Sequence, residues 1–325
     1  MTVLSRILSA SILTLPCLVQ AYTLKTDYIG NNADGFFDKF TFWTTDDLTG
    51  GYVDYVGKDT AQSQGLISAN DGTVYLGVDS RWKATGRGRM SLRLTSTETY
   101  NPGTLFVADV AHMPDTCGTW PAFWTTSSSH WPDEGEIDII ENANNAAQNQ
   151  MSLHVSENQG QCKIAPNPPM KAQKDRWDNC LEEQTGGCDA NDNNAKAFGR
   201  GFNDNKGGVY AMEWTGDHVH IWFWERQDVP TDNNGPLGQS PNPSTWGTPI
   251  TAFDSENGTG CDMTKHIKNQ RIVINTDLCG RWAEGTWGNG CKQVTGKKTC
   301  KEYVRDVPQD FSTAYWTFNS LKVYT

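Results

Sequence analysis

Glu136, Asp138 and Glu141 stand within one short run, GEIDIIE, that otherwise reads as a strand. In a strand alternate side chains share a face, so Glu136 and Asp138 point together while Glu141, at an odd separation, points away. A β-bulge among Asp138, Ile139 and Ile140 adds one residue and returns Glu141 to the face of the other two. Ile137, with one or both of Ile139 and Ile140, then turns to the core. The two glutamates become four strand steps apart, roughly 13 Å between Cα atoms at ~3.3 Å per step. Each glutamate arm reaches about 4 Å along bonds of ~1.5 Å. The remaining gap of about 5 Å suits covalent double displacement at the anomeric carbon of a sugar, whereas inversion needs about 6.5–9.5 Å to admit a water. Asp138, between them, can orient whichever neighbour is protonated. A hard-cation site is the competing reading, but such sites usually recruit further oxygen ligands from a looped backbone.

A strand so placed needs a sheet around it. TVYLGVDS (73–80), RMSLRLTST (89–97), GTLFVADVAHM (103–113), MSLHVS (151–156) and RIVINTDL (271–278) read as strands between turn residues. VYAMEWTGDHVHIWFWER (209–226) reads as a hairpin turning at Thr215-Gly216-Asp217. The closing AYWTFNSLKVYT is again β-like, with Asn319-Ser320 as its turn, and short helices are expected near 263–269 and 300–307. Many short strands with Gly, Pro and Asn punctuation predict an all-β sandwich or jelly roll. The Asn-, Gly-, Pro- and Cys-rich stretch 158–206 reads as a disulfide-pinned loop excursion.

Residues 1–21 read as a cleaved export leader: Arg6, then an apolar run, then small residues at Val19 and Ala21. Residues 22–325 are expected to form one domain. Losing the leader removes Cys17 from the nine cysteines. An even set remains: Cys117, Cys162, Cys180, Cys188, Cys261, Cys279, Cys291 and Cys300. In an exported chain these are expected to form disulfides, of pairing left open. Asn257-Gly258-Thr259 is a sequon for a surface glycan. The formal charge of −11, one unit more negative without Arg6, opposes nucleic acid or an anionic membrane as partner. No segment is apolar enough to span a bilayer. Thirteen tryptophans supply flat apolar faces that suit sugar rings, although burial explains most of them.

GEIDIIE, preceded by CGTWPAFW and HWP, resembles glycoside hydrolase family sixteen, closest to secreted fungal laminarinases, the endo-β-1,3(4)-glucanases. The likeness extends through GRMSLR, LHV, YAMEW, WGTP, INTDLCGRWA and the closing AYW…VY, nearly the whole mature chain. It implies a concanavalin-like β-jelly roll with a concave glucan cleft; a monomer is expected, the chemistry requires no cofactor, no metal is assigned to the site, and a calcium ion on the convex side is left open. It also implies that Glu136 is the nucleophile, Glu141 the general acid/base and Asp138 their assistant. Charge physics fits those roles: ionised Glu136 keeps Glu141 protonated, and esterification of Glu136 frees Glu141 to ionise and activate water. A transglycosylase of the same chemistry and a non-catalytic glucan-binding protein are the rival readings.

The resemblance places Trp124 and Trp131 against glucosyl rings near the scissile bond, with core packing as the alternative. His154 is expected beside the acid/base or a sugar hydroxyl, and Arg89 near substrate hydroxyls or in a structural ion pair. Trp282 and Trp287 are expected to stack on sugar at a distal subsite. His220, Trp222 and Trp224 share one strand face, which reads as packed core more readily than as cleft floor.

Overall fold

Two eight-stranded antiparallel sheets lie face to face in a jelly roll. The computed structural model describes residues 22–30, 33, 35–127, 129–175 and 178–325. The leader reading, with Arg6 and Cys17, lies outside the described residues.

The sheet that carries the carboxyls runs, edge to edge, through strands Gln173–Lys174, Cys188–Asp192, Asn149–His154, Glu136–Glu141, Thr119–Thr126, Arg271–Leu278, Arg93–Ser96 and Phe40–Phe42. Glu136–Glu141 is therefore an interior strand, held on both sides. In the second sheet the order is Thr251–Asp254, His218–Glu225, Gly208–Trp214, Thr104–His112, Tyr315–Tyr324, Thr73–Gly77 and Ile67–Asn70, with Leu24–Asp27 also paired to Tyr315–Tyr324. A small parallel pair, Val53–Tyr55 with Arg89–Ser91, stands apart.

Period-2 alternation decides which residues meet between the sheets. Ile137, Ile139, Ile140, Phe123, Ile272 and Ile274 pack against Phe106, Met212, Phe318 and Leu321 in one continuous core. Each large apolar side chain so buried contributes about 1.5–3 kcal/mol. Thr104–His112 reads as a nearly unbroken apolar run because its other face is covered too. Leu105 and Val107 join Val209, Ala211 and Tyr324 in an outer cluster roofed by Tyr22, Trp224, Val229 and Trp246.

The eight cysteines pair as Cys117–Cys291, Cys162–Cys261, Cys180–Cys188 and Cys279–Cys300. The first, across a separation of 174 residues, removes chain entropy from the unfolded state worth on the order of 5 kcal/mol. It and Cys279–Cys300 moor the segment that follows the Arg271–Leu278 strand. The expected helices occur at Met263–His266 and Cys300–Asp306.

Two expectations are corrected. Residues 315–324 form one strand rather than a hairpin, because a register shift between Phe318 and Ser320 absorbs Asn319. The Asn319 amide donates to Asp109 Oδ1 at 3.0 Å instead of closing a turn. The 158–206 stretch is not loop alone: Gln173–Lys174 and Cys188–Asp192 extend the edge of the carboxyl-bearing sheet.

Candidate active site

The Glu136–Glu141 strand breaks register against Thr119–Thr126 between Asp138 and Ile140. Before the break Glu136 faces Thr126 and Asp138 faces Trp124; after it Glu141 faces Ala122. Thr126, Trp124 and Ala122 are alternate residues on one face, so the extra residue, Ile139, puts all three carboxyls on the same side. Ile137, Ile139 and Ile140 are all buried beneath them. Pairing with Asn149–His154 stops at Asp138. There the buried Asn149 side chain replaces the missing ladder: its Oδ1 accepts from Glu141 N–H at 2.9 Å and its Nδ2 donates to Ile139 C=O at 2.8 Å. Gly135 enters the strand at φ +77°, and a Cβ there would lie 2.8 Å from the His266 carbonyl oxygen, so the position requires glycine.

Charge is organised along this row. Burial pushes the Glu136 carboxyl up to about 8, with Asp138 adding to the rise while His154 and Arg93 oppose it. Burial and then Asp138 hold Glu141 well above the ordinary carboxylate range, against the Trp120 hydrogen bond. Asp138 is raised by burial and pulled down by His154. Burial alone would lower the His154 imidazole, but Asp138 and Glu182 hold it well above its usual value. His154 Nε2 lies 3.3 Å from Asp138 Oδ2 and Nδ1 lies 2.7 Å from Glu182 Oε2. Glu182 sits in the short loop closed by Cys180–Cys188. Ligand atoms of Glu136, Asp138 and His154 come within 4.8 Å of one another, but both His154 nitrogens face carboxylates, which favours a protonated, donor-only ring.

The structure brings several further side chains to the row. Trp120 Nε1 donates to Glu141 Oε1 at 2.8 Å, and Trp282 meets Trp120 edge-on at 5.4 Å between centroids. Trp282 thus reaches the row through the indole that donates to Glu141. Trp124, half-buried, donates to Asn275 Oδ1 at 2.7 Å and carries the Arg93 guanidinium over its ring. Trp131 is exposed on the turn before the strand. Asn257 is exposed in a short turn.

Arg89 is a correction. It is 1% exposed, and its guanidinium donates to the carbonyls of Asp79, Trp82 and Val304 and pairs with Asp79, so it cannot reach substrate. Burying an arginine requires that every donor be occupied, and here backbone oxygens do it. His154 turns to Asp138, not to Glu141. Trp287 is buried in a satellite core with Tyr303, so it stacks on no sugar. His220, Trp222 and Trp224 belong to the second sheet, on the face turned away from the inter-sheet core, where Trp246 packs edge-on against both tryptophans.

Sequence reasoning missed Asn149, Trp120, Glu182, Arg93 and Asn275. Trp120 was within reach, since it shares strand parity with Trp124. Asn149 and Glu182 were not, because both act through cross-strand and loop contacts.

Comparison with known proteins places these features in a lineage. A family model described as XgeA-like, catalytic GH16 domain matches residues 40–324. The endo-1,3(4)-beta-glucanase of Arthroderma benhamiae is 43% identical over 93% of this chain and 65% of its own length. The chain spans about half the length of several other relatives, 50% for the xgeA endo-1,3(4)-beta-glucanase of Emericella nidulans. Laminarinase 16A of Phanerochaete chrysosporium, solved with beta-glucans in donor and acceptor sites, superposes with TM-score 0.84 at 34% identity over 94% of this chain and all of that one. An elongating GH family 16 beta-1,3-glucosyltransferase superposes with TM-score 0.83 at 36% identity over 94% of this chain and 100% of its own.

Proposed function

The chain belongs to the XgeA-like group of glycoside hydrolase family 16, and from that premise we propose that it is a retaining endo-β-glucanase acting on β-1,3-glucan, mixed-linkage β-1,3(4)-glucan or both. The observation that carries this reading is the bulge that sets Glu141 on the face of Glu136. Glu136 attacks the anomeric carbon while Glu141 gives its proton to the departing glycosidic oxygen. That transfer leaves Glu141 as a carboxylate, and because esterification cancels the Glu136 charge it stays ionised and takes a proton from the incoming water. Two inversions at one carbon give retention. Asp138 and the His154 imidazolium hold the charge pattern between the two glutamates, and the reaction calls for no cofactor.

Trp124, Trp131 and Trp282 are assigned to sugar contacts, Trp282 packing edge-on against Trp120. The protein is read as a secreted monomer: residues 1–21 a cleaved leader, residues 22–325 one catalytic domain, Asn257 a glycan site. Among the described residues no helix is long and apolar enough to cross a membrane.

A second reading, transfer to a sugar hydroxyl in place of water, is favoured by the likeness to the elongating glucosyltransferase. A digest of laminarin beside lichenan tests both. The expected first product carries the β-anomer by NMR; elongation beyond the input oligosaccharide at high substrate indicates transfer, and an α-anomer overturns the mechanism. Glu136→Gln and Glu141→Gln are each expected to abolish nearly all hydrolysis of laminarin.

A further inference from the structure

On the second sheet, facing away from the inter-sheet core, three adjacent strands bring Glu213, His218, His220 and Asp254 together. Glu213 pairs directly with His220, and His218 directly with Asp254. Alternation along the His218–Glu225 strand sends both imidazoles to one side, and their rings stack at 3.9 Å between centroids. His218 Nε2 lies 3.0 Å from Glu213 Oε2 and His220 Nε2 lies 2.6 Å from Asp254 Oδ1. One ligand atom each from Glu213, His218 and His220 falls within a 4.8 Å cluster.

The groups behind these atoms are already in place. Thr215 Oγ1 lies 3.2 Å from His218 Nδ1, the nitrogen remote from Glu213. Tyr22 donates to the other Glu213 oxygen, Oε1, at 2.9 Å. Each thereby keeps His218 Nε2 and Glu213 Oε2 turned inward, the orienting arrangement that metal ligands need from their neighbours. All four side chains keep between 16% and 30% of their surface open, which leaves a path for an ion.

We infer that Glu213, His218, His220 and Asp254 form a binding site for a borderline transition-metal ion of the Zn2+ type, on the side of the fold opposite the carboxyl row. Two imidazoles with carboxylates match Zn2+, which takes four ligands tetrahedrally; Ca2+ and Mg2+ prefer an all-oxygen shell. Tetrahedral coordination at about 2.0–2.1 Å sets ligand atoms roughly 3.3 Å apart, a modest contraction of the Glu213, His218 and His220 cluster, with Asp254 turning in from its contact with His220 as the fourth ligand. Protons on the coordinating nitrogens pass to Nδ1 or to solvent as the metal binds. The bound ion clips three neighbouring strands together and, through Tyr22, the start of the described chain.

Calorimetric titration of the EDTA-dialysed full-length mature protein with Zn2+ tests this. One equivalent is expected at a Kd of about 1 µM or tighter. H218N/H220N and E213Q are expected to weaken it at least about tenfold while laminarin hydrolysis, which reports folding, stays within about twofold of the native rate. Unchanged binding in the double variant places the metal elsewhere and overturns the inference, as does no binding at all. Should a variant fail to fold, Co2+ added to the native protein decides by NMR: paramagnetically shifted ring signals from two stacked histidines support the site, and signals from any other histidine contradict it.

Discussion

The indole of Trp120 donates a 2.8 Å hydrogen bond to Glu141 Oε1, one of the two oxygens that would hand a proton to the leaving sugar. The bond favours the ionised carboxyl, so it eases the half of the cycle in which Glu141 gives its proton to the leaving oxygen. Trp120→Phe keeps the ring and removes the donor. Hydrogen bonds to charged groups are worth about 1.5–3 kcal/mol, so kcat is expected to fall by about 10–100-fold. The alkaline limb of the pH–rate profile should move to higher pH. A loss without that displacement would make Trp120 a packing residue only.

Asn149 holds the bulge from both sides, through Glu141 N–H and Ile139 C=O. Asn149→Ala leaves two buried backbone groups unpaired at about 1–3 kcal/mol each. Melting should show destabilisation of that order, and laminarin hydrolysis of the still-folded fraction should fall further than for Asn149→Asp, which keeps the acceptor. Equal activity in all three proteins would mean that the register shift does not depend on Asn149.

Glu136 is expected to cost stability when it ionises. A carboxyl raised from 4.5 to about 8 by burial keeps, when folded, a proton that the unfolded chain has lost. Its contribution is therefore full below pH 4.5 and declines as pH rises towards 8. Glu136→Gln removes the charge at nearly constant shape. The variant should melt with the native protein near pH 4 and above it near pH 8, by on the order of 1–3 kcal/mol after discounting for the open cleft. A variant less stable at pH 8 would contradict the burial of this group.

The His154 imidazolium opposes the rise of both glutamates. His154→Asn should therefore move the acid limb of kcat/KM, set by ionisation of Glu136 in the free enzyme, to higher pH. Activity should fall more on the acid side than on the alkaline side. A uniform fall with unmoved limbs would assign His154 to packing against Gly187, which approaches its ring closely.

Much of this was legible in the chain, for a physical reason. Period-2 alternation with buried isoleucines declares a strand, and a glutamate out of phase with Glu136 and Asp138 declares the bulge. The cysteine count announced disulfides but could not pair them, since contacts such as Cys117 with Cys291 depend on the closed fold. Arg89 misled because a lone arginine beside a conspicuous motif looks the same whether its donors meet sugar or the carbonyl of Val304. Asn319 misled for a related reason: asparagine serves turns and strand irregularities alike, and only its bond to Asp109 distinguishes them. The face bearing Trp222 and Trp224 was unreadable locally, because what covers it comes from Trp246 in a distant loop.

Covalent capture of the sugar by Glu136 is the step on which the enzymology rests. Incubation with an activated 2-deoxy-2-fluoro laminarioligosaccharide, which slows release of the intermediate, followed by peptic mapping and mass spectrometry, tests it most directly. The expected result is one glycosyl unit per chain, attached within GEIDIIE at Glu136. A label on Glu141, or no adduct from a protein that still hydrolyses laminarin, would contradict it.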